Sequence, residues 1–308
     1  MKIVSRDWVA VQKEARRATL PLEYHAHGDC IHFGKISPGC KVCFVRKPDT
    51  QFAIYTGTEC NANCGYCYYD AKRTDESWGS MKKSVNNLAD LYARVMDPRT
   101  EMSTATYNST GETLKYPAVI KEASDLLLKY ERDRGTKVYT HLYTNGWYAD
   151  LEMLTFLREC RVTELRFHIS AMNFSDRVYK NMRIAKELGF IVTVEEPSLP
   201  ENKEGIMKAL PLLQEIGITH LDIVECQVTE HNQDYLEKTY PEGRVYRDLL
   251  WHMYDEGMVY DIIEEVVKSK YTFSVIDCNS RVEATRDSRQ MINPKLYDLK
   301  MMQGAVLV

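Results

Sequence analysis

The segment TGTECNANCGYCYYD, which spans residues 56–70, carries the most specific chemical signal in this sequence. It follows the short apolar run QFAIY, which begins at Gln51, and it places Cys60, Cys64 and Cys67 in the pattern Cys-x3-Cys-x2-Cys. Three thiolates on one short loop can bind three irons of a cubane cluster, which normally takes four protein thiolates. The pattern therefore predicts a [4Fe–4S] cluster with one iron open to another ligand, and a zinc-binding loop is the alternative.

Six short apolar runs of the kind that form β-strands alternate with longer segments in which apolar residues recur every three or four positions. The runs are QFAIYTG, TATY, KVYTHLYT, ELRFHIS, IVTVE and HLDIVE, which start at Gln51, Thr104, Lys137, Glu164, Ile191 and His220. From the second run onward, the starts lie about 30 residues apart, which is the period of βα units in a parallel sheet. We therefore expect an α/β fold, a partial (β/α)6 barrel with its site at the carboxyl ends of the strands.

The barrel is expected over residues 52–275, between an N-terminal extension of residues 1–51 and a C-terminal tail of residues 276–308. A seventh apolar run, TFSVI from Thr272, leads into that tail. Gly189 and Gly217 closely follow two of the helical segments, where a left-handed residue commonly ends a helix.

The composition excludes several classes of protein. The 308 residues are 44% hydrophobic and 27% charged, with a formal net charge of -4, which is typical of a globular chain and gives no electrostatic sign of nucleic-acid binding. No apolar run approaches the roughly 20 residues that a membrane span needs, and the N-terminus lacks a signal-peptide core. We expect a cytoplasmic protein, in which nine cysteines favour metal or catalytic roles over disulfides.

The cysteine loop resembles the signature of the radical S-adenosylmethionine (radical SAM) superfamily, and Tyr66 matches the aromatic residue that commonly precedes its third cysteine. The resemblance implies a partial βα barrel in which SAM chelates the open iron through its amino and carboxylate groups. It also implies that one electron cleaves SAM to methionine and a 5′-deoxyadenosyl radical, which abstracts a hydrogen atom from the substrate. An external reductant such as flavodoxin or ferredoxin would supply that electron.

Two residues after the second strand match the superfamily's Gly-Gly-Glu-Pro motif in part. In NSTGETLKYP, Gly111 and Glu112 match the middle of this motif, which the resemblance implies holds the SAM amino group. Thr110 and Thr113 depart from the motif at its first and last positions. The alternative is a turn between strand and helix that is capped by Ser109 or Thr110.

Polar residues at the ends of the next strands are further candidates for SAM binding. Asn145, in YTNGW, resembles a polar residue that often contacts SAM, although Asn-Gly is also a common turn dipeptide. The run ELRFHIS alternates, so Arg166, His168 and Ser170 are expected to face the lumen. Ser170 resembles a SAM ribose or carboxylate contact, whereas the other two could touch SAM or substrate, or be buried and hydrogen-bonded. One of the carboxylates at 195–196 could also reach the site.

A second metal site is predicted from the remaining cysteines. Cys40 and Cys43 in SPGCKVC have a metal-clamp spacing, and Cys278 and Cys30 could join them because chain ends often lie close together. The site would hold an auxiliary [4Fe–4S] cluster or zinc; two unliganded thiols are the alternative. Histidine side chains near these cysteines are possible fourth ligands: His25, His27 and His32.

The SPGCKVC run and the late CNSR segment resemble a radical SAM subgroup in which some members modify ribosomally made peptides. We expect a precursor peptide as substrate, a splicease-type lyase reaction that excises tyramine, and a separate small leader-binding protein as partner. An alternative is rearrangement or epimerisation in cofactor or small-molecule biosynthesis, with Cys226 returning a hydrogen atom unless it is a buried hydrophobe. A non-enzymatic iron–sulfur electron carrier or metal-binding scaffold is a further alternative.

Overall fold

The computed structural model describes residues 1–25, 30–40, 50–69, 86–247 and 251–278, with the side chains of residues 24, 25 and 30 left aside. The strands within these ranges are β1 (Lys2–Ile3), β2 (Glu23–His25), β3 (Cys30–Phe33), β4 (Gln51–Tyr55), β5 (Thr104–Asn108), β6 (Tyr139–Thr144), β7 (Glu164–Phe167), β8 (Ile191–Pro197), β9 (His220–Val224), β10 (Arg244–Arg247), β11 (Trp251–Met253) and β12 (Ser274–Cys278). The helices are α1 (Arg6–Arg17), α2 (Leu88–Met96), α3 (Pro117–Arg134), α4 (Leu151–Glu159), α5 (Asp176–Glu187), α6 (Pro200–Ile216), α7 (Gln233–Thr239) and α8 (Met258–Lys268).

The main sheet has nine strands in the order β2-β3-β12-β9-β8-β7-β6-β5-β4. From β4 to β9 the strands are parallel and adjacent in chain order, and β12 adds a seventh parallel strand beside β9. The six apolar runs and TFSVI therefore all form strands, and the predicted α/β fold with βα units is confirmed. Because all these strands point the same way, their carboxyl ends lie at one edge of the sheet.

The strands are buried on both faces, and their two faces differ in polarity. In β7, the apolar side chains Leu165 and Phe167 belong to the hydrophobic core between sheet and helices. The charged side chains Glu164 and Arg166 alternate with them and are also buried, at 0% and 4% exposure. The period of two along a strand thus separates an apolar layer against the helices from a polar lumen.

The helices begin and end where the sequence provides the matching residues. Pro117 and Pro200 occupy the first turns of α3 and α6, where a missing N–H costs no hydrogen bond. Gly189 and Gly217 adopt positive φ of 82° and 74°, as predicted for residues that follow helices. No helix in the described ranges combines the length and apolar character needed to cross a bilayer.

The N-terminal extension is joined to the barrel through both sheets. Strand β3 pairs antiparallel with β12, and β1 pairs with β10 in a separate sheet of order β1-β10-β11. Helix α1 contributes Lys13, which is 5% exposed and forms an ion pair with Glu225 just after β9. The expected boundary between residues 275 and 276 falls inside β12.

Candidate active site

A cavity of about 510 Å³ lies at the carboxyl ends of strands β4 to β9. Its walls come from the cysteine loop after β4 and from the segments that follow each of the other strands. Ten of the residues predicted from the sequence line it: Cys60, Cys64, Cys67, Tyr66, Gly111, Glu112, Asn145, Arg166, His168 and Cys226. The chain therefore brings most of its predicted site together in one cavity.

The cysteine loop is held in place by neighbouring loops. The Tyr116 hydroxyl accepts hydrogen bonds from the backbone N–H groups of Thr58 and Glu59, at 3.0 and 2.6 Å. Gly111 packs on the same stretch so closely that a Cβ there would lie 2.2 Å from the Glu59 carbonyl oxygen. Only glycine can make this approach, which gives Gly111 a structural reason independent of any ligand.

The three thiols suit an iron–sulfur cluster. All three line the cavity and are partly exposed to it. Burial raises the pKa of Cys60 and raises that of Cys64 to about 11, so these thiolates need a cation to offset their desolvation. Within the described ranges, no three side chains of His, Cys, Asp or Glu converge on a point where one metal ion could bind. Three thiolates on one loop fit a cluster in which each thiolate binds a different iron.

Glu112 is a buried carboxylate that ties two strand ends together. Its side chain is fully enclosed and accepts hydrogen bonds from Leu114 N at 3.0 Å, Thr144 Oγ1 at 2.7 Å and Asn145 N at 2.7 Å. It also caps the single helical turn Thr113–Lys115, so the predicted cap exists but Glu112 itself provides it. A carboxylate offers about four lone pairs, and three accepted bonds leave one for a donor in the cavity.

Asn145 links the end of β6 to the cysteine loop. Its Nδ2 donates to Asn61 Oδ1 at 2.8 Å, and its Oδ1 accepts from Trp147 N at 3.1 Å. It forms the turn that the Asn-Gly dipeptide allowed, and it also lines the cavity.

Tyr66, His168 and Ser170 form a small polar cluster. The Tyr66 hydroxyl lies 2.9 Å from Ser170 Oγ and 3.3 Å from His168 Nε2. Strand β7 ends at Phe167, and Ser170 begins the helical turn Ser170–Met172. The expectation that strand alternation would bring Ser170 to the lumen was therefore wrong, because the strand ends first and Ser170 instead reaches the cavity wall through Tyr66.

Glu196 is the carboxylate of the 195–196 pair that is fully buried, at 0% exposure. Its Oε1 accepts from the backbone N–H groups of Ile169 and Ser170, whereas its Oε2 has no hydrogen-bond partner among the described residues. Burial raises the pKa of Glu196 to about 8 despite these backbone donors. It lines the cavity, and the sequence alone did not distinguish it from Glu195.

Arg166 lies at the centre of a buried charge network in the lumen. It donates to Glu164 at 3.0 Å, Glu195 at 2.8 Å and Asp222 at 3.1 Å. Burial would raise the pKa of Glu164, but Arg166 lowers it to about 2, whereas burial raises that of Asp222 to about 7. Arg166 is therefore the buried, hydrogen-bonded residue that the sequence allowed, with one edge on the cavity.

Of the predicted auxiliary cysteines, Cys30 and Cys278 lie at the adjoining ends of β3 and β12, next to the paired residues Ile31 and Asp277. The Cys40 thiol is buried on the charge network, accepting from Arg166 Nη2 at 3.1 Å and donating to Asp222 Oδ2 at 3.4 Å. Cys278 ends β12, and neither cysteine belongs to a metal-binding group within the part of the chain described. Cys43 and the side chain of Cys30 lie outside the described residues, as do His25 and His27. His32 is buried, and its Nδ1 lies 2.6 Å from the Gly34 carbonyl oxygen.

Cys226 lies on the cavity wall, as its predicted position after β9 required, and it is 4% exposed. Its thiol donates to the Gln227 carbonyl at 3.7 Å and also packs among apolar side chains. Two contributors to this wall were missed by the sequence reasoning. Lys13 and Asn232 are ordinary polar residues without a motif, and their roles depend on partners far away in the chain.

Comparison with known proteins gives one family match. The family model described as the Radical SAM superfamily matches residues 54–224, which is more than half of the chain. This stretch runs from β4 to the end of β9 and so covers the six strands around the cavity.

One curated relative is a Methanocaldococcus jannaschii protein that its name assigns provisionally to the glycyl-radical enzyme activating enzymes. It is 25% identical over 214 residues, which cover 67% of this chain and 54% of the relative. The chain thus spans about half the length of this relative.

Solved structures share the fold at low identity. Native anSMEcpe with bound AdoMet is 17% identical with a TM-score of 0.52, over 73% of this chain and 63% of that chain. Streptococcus suis SuiB bound to precursor peptide SuiA is 12% identical with a TM-score of 0.50, over 92% of this chain and 63% of that chain.

Proposed function

Because this chain belongs to the radical SAM superfamily, and is thus a radical SAM enzyme, we propose that Cys60, Cys64 and Cys67 bind a [4Fe–4S] cluster. SAM would bind the open iron of this cluster, and the reaction would act on a precursor peptide. Held by these cysteines and reduced, the cluster would supply one electron to SAM, whose sulfonium–C5′ bond would break to methionine and a 5′-deoxyadenosyl radical that would take a hydrogen atom from the substrate. The observation that carries the proposal is the opening of the three-cysteine loop onto the same cavity as Glu112.

The chain's own residues would orient SAM in this cavity. Glu112 keeps one lone pair for an amino group after accepting three hydrogen bonds from its own chain. A polar cluster lies beside the third cysteine and consists of Tyr66, His168 and Ser170. The cysteine loop itself is held by contacts from Asn145 and Gly111. Such fixed groups place SAM so that a particular substrate hydrogen lies near C5′.

A peptide substrate is supported by the SPGCKVC run and the late CNSR segment, which resemble peptide-modifying enzymes. SuiB, a protein of the same fold, binds its precursor peptide SuiA. We propose tyramine excision of the splicease type as the lyase reaction, with a small leader-binding protein as partner and flavodoxin or ferredoxin as reductant. We also propose the cytoplasm as the place of action, because thiols that bind a cluster stay reduced there.

Two observations favour related candidates. The curated relative suggests activation of a glycyl-radical enzyme, in which the hydrogen atom would come from a glycine of a partner protein. Cys226 on the cavity wall favours epimerisation, in which its thiol would return a hydrogen atom to the substrate radical. An auxiliary cluster or zinc on Cys43, Cys278 and Cys30 stays a proposal, whereas Cys40 would first have to leave Arg166 and Asp222.

Anaerobic reconstitution tests the core of this proposal. We expect the protein to bind iron and sulfide, to show an EPR signal that SAM alters, and to release 5′-deoxyadenosine under reduction. The variant with Cys60, Cys64 and Cys67 changed to alanine should lose all three properties, whereas Cys160→Ala, at the buried end of α4, should keep them. If SAM does not change the EPR spectrum of the cluster and no 5′-deoxyadenosine forms, the protein would be an iron–sulfur electron carrier instead.

The iron content of the variant with Cys60, Cys64 and Cys67 changed to alanine tests for the auxiliary site. Iron that remains there would support an auxiliary cluster, and zinc alone would support the other alternative. A preparation with neither metal removes the second site.

A further inference from the structure

The cysteine loop has a second set of contacts, which come from the segment of residues 229–235 beyond β9. Asn232 Nδ2 donates to the Tyr66 carbonyl at 2.9 Å, and Thr229 Oγ1 donates to the Tyr68 carbonyl at 3.1 Å. Tyr66 and Tyr68 are the residues on either side of Cys67. The segment therefore holds the backbone on both sides of the third cysteine.

Asn232 is suited to this position by its shape and its burial. It is 0% exposed, and the same Nδ2 also donates to the Gln227 carbonyl at 2.8 Å. Its Oδ1 accepts from Thr229 N at 2.8 Å. Its two amide hydrogens and its oxygen are thus all used, and an isosteric aspartate could not supply the two donated bonds.

A close packing contact, independent of these hydrogen bonds, joins the same two segments. Gly65 lies between Cys64 and Cys67, and a Cβ at this position would be 2.3 Å from Tyr235 Cε2. The Tyr235 hydroxyl donates to Glu201 Oε2 at 2.8 Å, which holds the ring against the glycine. The cysteine loop is therefore fitted to residues 229–235 by both hydrogen bonding and packing.

Residues 229–235 also border the cavity wall that follows β9. Asn232 bonds the Gln227 carbonyl, and the side chains of Cys226, Gln227 and His231 line that wall. We propose that Asn232 is a positioning residue that couples the cluster-binding loop to the cavity wall after β9. The inference rests on the proposed function, because it assigns Asn232 a role toward the cluster of that same site.

The variant Asn232→Asp tests the role with little change in shape. The carboxylate would face the Tyr66 and Gln227 carbonyls without a hydrogen to donate, so the loop should loosen around Cys67. We expect iron release to a chelator to be about tenfold faster than in the wild type, and the EPR g-values of the reduced, SAM-bound cluster to shift.

Asn202→Asp is the matched control. Asn202 is also buried, at 4% exposure, and its Nδ2 donates to the Pro197 carbonyl at 3.2 Å, a contact that does not involve the cysteine loop. The metal-free Asn202→Asp variant should have the same melting temperature as metal-free Asn232→Asp. Its cluster should release iron at the wild-type rate and keep the wild-type g-values. If the two variants release iron at the same rate with the same g-values, Asn232 has no positioning role.

A second pair of variants tests the contact without touching Asn232, which covers the case that Asn232→Asp does not fold. Gly65→Ala should speed iron release because its methyl group collides with Tyr235, and adding Tyr235→Ala should restore slow release. Fast release in both the single and the double variant would overturn the coupling. If SAM does not change the EPR spectrum of the wild-type cluster, the proposed function itself is refuted.

Discussion

Buried carboxylates around the cavity take different protonation states because their neighbours differ. Glu164 has the Arg166 guanidinium beside it and stays ionised, with its pKa lowered to about 2. Glu196 has hydrogen-bond donors from Ser170 and the Ile169 backbone and a His168 ring whose pKa burial lowers to about 4, and burial raises its own pKa to about 8. At neutral pH the first is a fixed charge and the second is mostly an uncharged acid.

The pKa of Glu196 gives a prediction for the pH dependence of stability. Its ordinary pKa is 4.5, so between about pH 4.5 and 8 the folded protein holds a proton that the unfolded chain has lost. Its stabilisation is complete below that range and is lost as pH rises through 8. Relative to Glu196→Gln, the free energy of unfolding of the wild-type apo-protein should fall by about 2 kcal/mol from pH 6 to 8, measured by urea denaturation.

Glutamine keeps an oxygen for Ile169 and Ser170, so the Glu196→Gln variant should retain its backbone contacts. Glu204→Gln, on the exposed face of α6, is the control and should follow the wild-type profile. Parallel profiles for the wild type and Glu196→Gln would mean that Glu196 titrates normally.

Sequence patterns identified residues whose role depends on local spacing. The cysteine loop and Gly111–Glu112 were found because their members are close in the chain. Cys40 was assigned to a metal from its spacing to Cys43, but its thiol contacts Arg166 and Asp222, which are 126 and 182 positions away. Contacts at such separations depend on how the strands are arranged in the sheet, which no local pattern records.

At the scale of elements, helix α1 places one cation, Lys13, in a buried position beside the end of β9. Lys13 pairs with Glu225, and Asp255 and Asp277 lie close enough to raise its pKa well above the ordinary value despite burial. Burial would raise the pKa of Glu225, but the Lys13 ammonium lowers it below its usual value. The end of β9 and the cavity wall that carries Glu225 thus depend on a side chain from the N-terminal extension.

Replacing Lys13 by methionine tests this dependence. The substitution leaves Glu225 buried without its cation, and we expect a loss of about 3–5 kcal/mol in the free energy of unfolding at pH 7. The loss should shrink toward pH 5, where the uncompensated carboxylates can take up protons. Lys121→Met, which breaks only an exposed pair with Asp125, should leave stability unchanged, and an equal effect of the two would contradict the role of Lys13.

Strand positions were predicted well because each strand carries its own signal. The six runs and TFSVI correspond to β4–β9 and β12. The end of β7 was missed because alternation in ELRFHIS continues past Phe167, while the chain turns into a helical turn at Ser170. Hydrophobic alternation predicts a strand's faces but not where its hydrogen bonding to the neighbours ends.

At the scale of the whole molecule, the order of strands along the chain matches their order in the sheet from β4 to β9. The two orders differ beyond β9. Strands β4 to β9 are adjacent in sequence order, whereas β12 is followed in the sheet by β3 and β2 from the start of the chain. The βα period predicted the first arrangement. The second was expected only as a general closeness of the chain ends, because no local pattern records a strand pairing such as β3 with β12 between residues more than two hundred positions apart.

Two buried carboxylates accept hydrogen bonds from the backbone at the end of a neighbouring strand. Glu112 accepts from Asn145 N, and Glu196 accepts from the N–H groups of Ile169 and Ser170. If SAM binds in this cavity as proposed, the chain's own hydrogen bonds would already order these strand ends, so little ordering entropy would oppose binding. Deuterium uptake at these three amides should already be slow in the metal-free protein and change little on adding SAM to the holoenzyme. Rapid uptake that slows only with SAM would mean that the ligand itself organises the rim.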